Sequence, residues 1–238
     1  MKITSIPSKV IKAVIFDFDG TIVDSERIFY LSDKEILKNY GINLTYQMKK
    51  KYIGGSAYDM MKDIKERYQI EDSVETLVEK KDNNYIKVAE KKIKIFPKMY
   101  QLLKILKQKD YMLAIASGSS RIILTTLLTK LNIIDYFNII ISSNEVNKGK
   151  PAPDIFIETA KRLKIPCENT VVVEDSQYGV EAAKNACMYC VAIPYIIDKP
   201  LPERYLKADM LFERGMKEFN SQKVALWIEG QYQTILKK

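Results

Sequence analysis

Two aspartates, Asp17 and Asp19, come directly after a short apolar run from Ala13 to Phe16 and are the first residues that could do chemistry. A continuous apolar run of this length is typical of a parallel strand that is buried on both faces. Open α/β sheets bind their ligands at the carboxyl ends of the strands. Because alternate residues of an extended chain point the same way, both carboxylates can serve one small site. The alternative is that the two aspartates cap a turn.

Other predicted strands also end in polar residues. Ser117 and Gly118 follow one strand, where a hydroxyl and free N–H groups at a helix start can hold an anion such as phosphate. Ser119 beside them could equally well cap that helix. Glu174 and Asp175 follow the most apolar strand, and two adjacent acids there are costly unless a cation or hydrogen bonds compensate them.

Lys150 is the basic residue that the local sequence fixes best. It lies in the segment Gly149-Lys150-Pro151-Ala152-Pro153-Asp154, where two prolines restrict the backbone and start the next helix. A surface lysine would be free to move, whereas this one is held in place. Taken alone, Lys150 could still be an ordinary solvated lysine.

The elements that must position these residues alternate between strand and helix. After residue 95 the periodicity predicts, in order, helix 97–109, strand 111–116, helix 119–131, strand 138–141, helix 153–163, strand 171–173, helix 176–186, strand 189–193, an edge strand 209–212 and a terminal helix 217–236. Such alternation predicts an α/β fold with a doubly wound, Rossmann-like parallel sheet. Trp227 and Ile228 are expected to pack the terminal helix on the core.

Residues 23–95 interrupt this alternation with helical periodicity alone. The pattern predicts helices over 25–40, a short one after Thr45, 56–68 and 72–92. We therefore expect an α/β core formed by residues 1–22 and 96–238, with an inserted α-helical bundle, hereafter the cap, over residues 23–95. Gly54-Gly55-Ser56 is a flexible turn within the cap, and we expect it to face a bound phosphate.

Composition excludes several classes of protein. With 238 residues, 47% hydrophobic and 29% charged, the chain can bury a large core, and it has no apolar run that could span a membrane. Its net charge of +8 is spread along the chain, so we expect no nucleic-acid partner. Three cysteines and no histidine indicate reduced thiols rather than a zinc site, and Cys187 and Cys190 fit a helix-to-strand junction. A cytoplasmic monomer is the expectation.

The motifs together resemble the haloacid dehalogenase-like hydrolase superfamily. Four sequence motifs carry the resemblance, in chain order: Asp17-Phe18-Asp19-Gly20-Thr21, Ser117, Lys150 and Glu174-Asp175. The resemblance covers nearly the whole chain, because the inserted helices are similar to the small helical cap of phosphoglycolate phosphatase-like and β-phosphoglucomutase-like members. It implies hydrolysis of a small phosphorylated metabolite.

The resemblance also implies a role for each motif. Asp17 would be the nucleophile and Asp19 the general acid and base, a role that a carboxylate must fill where histidine is absent. Mg²⁺ is the expected cofactor, held by Asp17, Asp175 and the main-chain carbonyl of Asp19. Glu174 would be either a fourth ligand or a residue of the outer shell that does not touch the ion. Ser117, the Gly118 N–H and Lys150 would hold the oxygens of the phosphate.

Two departures from the β-phosphoglucomutase pattern favour a phosphatase. The cap arginine and histidine of those mutases correspond here to Ala57 and Phe29, so we expect a weak anchor for a second phosphate. A mutase remains the alternative. A non-catalytic binding protein, a dehalogenase and a phosphonate hydrolase with a cap lysine are further alternatives. Cys187 stands where glycine is usual, and a left-handed backbone is expected there.

Overall fold

A computed structural model describes residues 1–52, 56–197 and 199–230 of the chain. Its strands are β1 (Lys2–Ile3), β2 (Ala13–Phe16), β3 (Met112–Ser117), β4 (Ile139–Ser142), β5 (Thr170–Glu174), β6 (Tyr189–Ala192) and β7 (Met210–Leu211). Its helices are α1 (Glu26–Lys38), α2 (Tyr46–Lys50), α3 (Ala57–Tyr68), α4 (Val74–Lys92), α5 (Pro97–Gln108), α6 (Arg121–Lys130), α7 (Asp154–Leu163), α8 (Gln177–Asn185) and α9 (Ser221–Ile228). No helix in these ranges is long and apolar enough to cross a membrane.

The seven strands form one sheet in the order β1-β7-β6-β5-β2-β3-β4. Every neighbouring pair is parallel except β1 with β7, which is antiparallel. The strand β2 therefore lies in the middle of the sheet, between β5 and β3. This order confirms the predicted α/β, Rossmann-like core. It also places the residues that follow β2, β3 and β5 side by side at one edge of the sheet.

The sheet separates two apolar clusters because successive side chains of a strand point to opposite faces. Val14 and Phe16 of β2 belong to one cluster, and Ala13 and Ile15 belong to the other. All four residues are fully buried. Helices cover both faces, so the strands can be apolar throughout, as the sequence predicted.

Residues 26–92, apart from the undescribed 53–55, form four helices and no strand. These helices share an apolar cluster of their own, made of Leu37, Ile42, Leu44, Met60, Met61, Ile64, Ile70 and Leu77. The chain leaves the core and returns to it at one place, where Val23 pairs with Ile95 and the Phe96 N–H donates to the Ile22 carbonyl at 3.0 Å. We propose this double crossing as the boundary between core and cap.

Several predicted details require correction. Helix α6 begins at Arg121 rather than at Ser119, because the chain bends at residues 118–119 and Ser120, the N-cap, has an extended backbone. The short strand β1 was not predicted, since two residues carry no readable period. Helix α9 runs over Ser221–Ile228 rather than from Lys217, where the chain forms a 3-10 turn. Residues 231–236 of the predicted helix, like Gly54 and Gly55, lie outside the described residues.

Two other expectations are confirmed. Cys187 has a φ of 58°, the left-handed conformation expected where related sequences use glycine. It follows α8, and Cys190 lies in β6, so the Cys-Xaa-Xaa-Cys spans a helix-to-strand junction, and all three cysteines are unpaired. Trp227 is fully buried and donates its indole N–H to the Ser5 carbonyl at 2.9 Å, which ties α9 to the amino-terminal segment.

Candidate active site

The residues singled out at the strand ends meet in one cavity. It has a volume of about 420 Å³ and lies between the sheet edge and the cap. Its lining includes all seven predicted site residues, which are Asp17, Asp19, Ser117, Gly118, Lys150, Glu174 and Asp175. Six of them converge because β3, β2 and β5 are adjacent and parallel, so their carboxyl ends face the same way. Lys150 reaches the same place from the segment between β4 and α7.

Lys150 is the central cation of the site. Its Nζ donates to Asp17 Oδ1 at 2.6 Å, to Glu174 Oε1 at 2.6 Å and to the Ala116 carbonyl at 3.2 Å. Burial alone would lower the pKa of Lys150, but the charges of Asp17 and Glu174 outweigh burial and raise its pKa above the ordinary value. The ammonium therefore stays charged and joins two strand ends.

Glu174 is fully buried, and both of its carboxylate oxygens already have donors. Oε1 accepts from Lys150, and Oε2 accepts from the Ser176 N–H at 2.7 Å. Ser176 is also the N-cap of α8, where its hydroxyl accepts from the Gly179 N–H. Glu174 thus sits at a helix N-terminus, where backbone N–H groups favour negative charge.

Asp17 and Asp175 carry more negative charge than their surroundings compensate. Burial raises the pKa of Asp17 to about 8, and although Lys150 opposes this, Glu174 and Asp19 add repulsion. Burial, followed by the charges of Glu174 and Asp17, raises the pKa of Asp175 well above its ordinary value. The Thr21 hydroxyl donates to Asp175 Oδ1 at 3.2 Å. Another cation would therefore be stabilised between these carboxylates.

Gly20 is required at this point for steric reasons. Its φ is 75°, and a Cβ there would overlap the Asp175 carboxylate. Any other residue would push Asp175 away from Asp17. The structure therefore explains why glycine follows Asp19, which the sequence pattern alone did not explain.

Asp19 is held by hydroxyl groups from both the core and the cap. The Ser119 hydroxyl donates to Asp19 Oδ2 at 2.6 Å, and the Tyr85 hydroxyl of α4 donates to Oδ1 at 3.3 Å. Burial raises the pKa of Asp19, and these donors oppose the shift. Sequence reasoning considered Ser119 only as an anion holder or helix cap and missed Tyr85, because apolar periodicity does not show what a buried hydroxyl will meet.

The cap contributes charged and aromatic groups to the same cavity. The Phe29 and Tyr85 rings stack at 3.8 Å, and the Lys81 ammonium lies 4.7 Å from the centre of the Phe29 ring. Lys49 lines the cavity and pairs with the buried Asp33 at 2.6 Å. Ala57 and Ser56 also line it, as expected. Two lysines, Lys49 of α2 and Lys81 of α4, therefore reach the cavity from the cap, which the comparison of Ala57 and Phe29 with the mutase pattern did not predict.

The side chains of the described residues do not form a ready-made group of three carboxylate or thiol metal ligands. The reason is visible in the site, because Lys150 already occupies one oxygen each of Asp17 and Glu174. A metal site with fewer protein carboxylates is still compatible with this arrangement, since Mg²⁺ usually keeps several waters and binds one or two carboxylates.

Comparison with known proteins gives a consistent family. The model of the family described as "Haloacid dehalogenase-like hydrolase" matches residues 14–193. The chain is 30% identical over 175 residues to the phosphorylated carbohydrates phosphatase of Thermotoga maritima, covering 74% of this chain and 81% of that protein. It is 30% identical over 190 residues to the β-phosphoglucomutase of Bacillus subtilis, covering 76% and 83%.

A solved structure supports the fold alone. CbbY from Rhodobacter sphaeroides in complex with phosphate superposes with a TM-score of 0.79 at 22% identity, covering 87% of this chain and 96% of that one.

The contact between α8 and Glu174 gives a first prediction. Replacing a helical glycine by alanine ordinarily stabilises a protein by up to about 1 kcal/mol. At Gly179 a Cβ would overlap the Glu174 carboxylate, so Gly179→Ala should instead destabilise the protein by about 1–3 kcal/mol. Urea denaturation measures the difference. Gly149→Ala, in the loop before α7, is a control for the added carbon, because no atom lies within 4 Å of it. A Gly179→Ala protein more stable than wild type would contradict the packing described.

Proposed function

Because this chain belongs to the haloacid dehalogenase-like hydrolases and is a phosphoric monoester hydrolase, we propose that it hydrolyses a small phosphomonoester through an aspartyl-phosphate on Asp17. The observation that supports this most is the state of the Asp17 carboxylate. One oxygen is fixed by Lys150, and the other makes no hydrogen bond within the described residues. A carboxylate oxygen at the base of a cavity is then available to attack phosphorus.

In the first step, one Asp17 oxygen forms a bond to phosphorus while the bond from phosphorus to the ester oxygen breaks. Asp19 would donate its proton to that departing oxygen, so that the substrate leaves as an alcohol. The raised pKa of Asp19 is compatible with carrying a proton. Ser119 and Tyr85 orient the carboxyl group by binding its two oxygens.

In the second step, water attacks the phosphorus of the aspartyl-phosphate and the bond to Asp17 breaks. Asp19, now a carboxylate, takes a proton from that water, and inorganic phosphate is released. The covalent intermediate divides one difficult displacement into two easier ones. Asp19 can serve in both steps, because water attacks phosphorus from the side on which the alcohol departed.

The oxygens of the transferred group need donors as charge spreads over them. We assign this role to Ser117, the Gly118 N–H and Lys150. Ser117 is 1% exposed at the end of β3, and its hydroxyl accepts from the Ser119 N–H at 3.2 Å, which fixes the turn. Lys150 would shift part of its interaction from Asp17 to the phosphate once that carboxylate forms a bond to phosphorus.

A magnesium ion fits the chemistry of the donors. Asp17 and Asp175 supply hard carboxylate oxygens whose pKa values are raised by burial first and by neighbouring carboxylates second, and the main-chain carbonyl of Asp19 is the proposed third ligand. We assign Glu174 to the outer shell, where it would not touch the ion, because both of its oxygens accept hydrogen bonds from Lys150 and the Ser176 N–H. The ion would lower the repulsion between the phosphate and the Asp17 carboxylate.

The cap would close the site against water and supply specificity. It reaches the catalytic group directly, since Tyr85 of α4 contacts Asp19. A lid that carries a partner of the acid–base group completes the site only when it is closed. We retain the monomeric state and the cytoplasmic location as predictions from the sequence.

The assignment of the nucleophile gives a second prediction. Asp17→Asn should lower turnover of phosphomonoesters by about a thousandfold or more, because an amide cannot form the acyl phosphate. The fold should be retained, as shown by circular dichroism. Asp135→Asn, an exposed residue of the core, is the control and should keep wild-type turnover. Substantial hydrolysis by Asp17→Asn would rule out the covalent route.

The charge of the site gives a third prediction. Asp17 is protonated below its pKa of about 8 in the absence of a cation, and a cation binds only the carboxylate. Binding of Mg²⁺ should therefore release protons below that pH, and the affinity for Mg²⁺ should rise with pH and level off above about 8. Isothermal titration calorimetry in two buffers of different ionisation enthalpy measures both quantities. An affinity that does not change between about pH 6 and 9 would contradict this account.

A sugar phosphomutase is the second candidate, and one observation favours it. Lys49 and Lys81 give the cap two ammonium groups in the cavity, which could hold a second phosphate. The chain is also similar to a β-phosphoglucomutase. In a mutase, a sugar hydroxyl rather than water would accept the phosphoryl group from Asp17.

A partition experiment separates the two candidates. With β-glucose 1-phosphate and a trace of the 1,6-bisphosphate, we expect release of inorganic phosphate, and no dependence on the bisphosphate. Ammonium groups that are already paired, as Lys49 is with Asp33, are weak anchors for a dianion. Following glucose 6-phosphate and free phosphate together measures the outcome. Rapid formation of glucose 6-phosphate with little free phosphate would favour the mutase.

A further inference from the structure

The part of the cavity that faces the leaving group is formed by the cap. We name the charged residues on this side the cap wall: they are Glu26, Lys49, Glu75, Glu79, Lys81 and Asp82, all of which line the cavity. Four carboxyl groups therefore face it with two ammonium groups, and burial raises the pKa of one of these carboxyl groups, Glu26, to about 7. This balance opposes a second phosphate, because two more negative charges would meet a surface that is already acidic.

Two carboxyl groups of the cap wall lack a hydrogen bond or ion pair in the described part of the chain, although the charges of Lys49 and Lys81 act on one of them, Glu26. Glu26, in the first turn of α1, and Asp82, in α4, make no hydrogen bond or ion pair with any described residue. Asp82 is only 9% exposed. Both side chains line the cavity, so a ligand that brings hydrogen-bond donors can bind there in place of water.

Lys81 supplies the complementary group. Its side chain is 4% exposed, and its Nζ makes no hydrogen bond within the described residues. Its ion pair with Asp33 Oδ1 is long, at 3.8 Å, and that oxygen has no hydrogen-bond donor of its own. Lys49, in contrast, is engaged by Asp33 Oδ2 at 2.6 Å. Among the described residues, the cap wall thus offers one ammonium that makes no hydrogen bond, beside two carboxyl groups that accept none.

Hydroxyl groups satisfy both kinds of site, because each can donate and accept a hydrogen bond. A second phosphate can only accept at neutral pH, and an apolar group can do neither. The unused donors and acceptors therefore match a neutral group with several hydroxyls. The stacked Phe29 and Tyr85 rings add an apolar face beside them, which suits the carbon skeleton of such a group.

We propose that Glu26, Lys81 and Asp82 determine substrate specificity by binding hydroxyl groups of a neutral, polyhydroxylated leaving group, and that the two carboxylates select against substrates with a second phosphate. The substrate class is then a monophosphate of a sugar or polyol. This proposal rests on the proposed phosphatase function. The cap wall would then recognise the leaving group, which Ala57 and Ser56 alone could not do.

The test compares substrates that differ in one feature. Pentose and hexose monophosphates are assayed beside their bisphosphates and beside propyl phosphate, which has no hydroxyl. For the preferred sugar, kcat/KM of the monophosphate should exceed that of its bisphosphate and of propyl phosphate by about tenfold or more. In Glu26→Gln and in Asp82→Asn, the preference for monophosphate over bisphosphate should fall by about tenfold. Glu90→Gln, an exposed residue of α4, is the matched control.

The outcomes distinguish the specificity of the cap wall from the phosphatase function on which it rests. Preference for a bisphosphate, or an unchanged preference in both folded variants, would overturn the specificity proposal while leaving hydrolysis intact. Absence of turnover with every ester would overturn the phosphatase function and this proposal with it. Two variants are used so that a folding defect in one, detected by its melting temperature, leaves the other as the test.

Discussion

The site depends on the compensation of buried negative charge. Four carboxylates, from Asp17, Asp19, Glu174 and Asp175, lie together at the edge of an apolar sheet, and Lys150 bridges two of them at 2.6 Å each. One ammonium does not balance four carboxylates, and burial, followed by the charges of neighbouring carboxylates, raises the pKa values of Asp17 and Asp175. A buried charge cluster of this kind is stable only with further cations or protons. A bound metal ion would meet that requirement. It would also allow an anionic phosphoryl group to approach the Asp17 carboxylate.

The fold creates this cluster by placing three strand ends side by side. Because β2 lies between β3 and β5, the residues after each strand share one crevice. The supporting contacts are close. A Cβ at Gly20 would overlap the Asp175 carboxylate, and a Cβ at Gly179 would overlap the Glu174 carboxylate. The cap completes the site from the other side, where Tyr85 reaches Asp19. Acid–base chemistry and cap position are thereby linked through one hydroxyl group.

Much of this could be read from the sequence, because the informative patterns are local. The apolar strand before Asp17, the alternation of strands and helices, and the acidic and basic strand ends all have short-range signals, and the predicted site residues share one cavity. Long-range contacts had no such signal. Tyr85 shares the buried face of α4 with Lys81 and Asp82, and nothing local in the sequence shows that it will meet Asp19. Lys49 and Lys81 resemble solvated lysines until the fold buries them. The start of α6 was misplaced for a related reason, since Ser119 turns to Asp19 instead of capping the helix.

The central claim is that Asp17 becomes phosphorylated during turnover. The direct measurement is to quench the enzyme in acid during the reaction, reduce the acyl phosphate with borohydride, and identify the modified residue by mass spectrometry. Reduction converts a phosphorylated aspartate to homoserine. The account predicts homoserine at position 17 only when substrate is present. Homoserine at another aspartate, or none at any position while phosphate is being released, would contradict it.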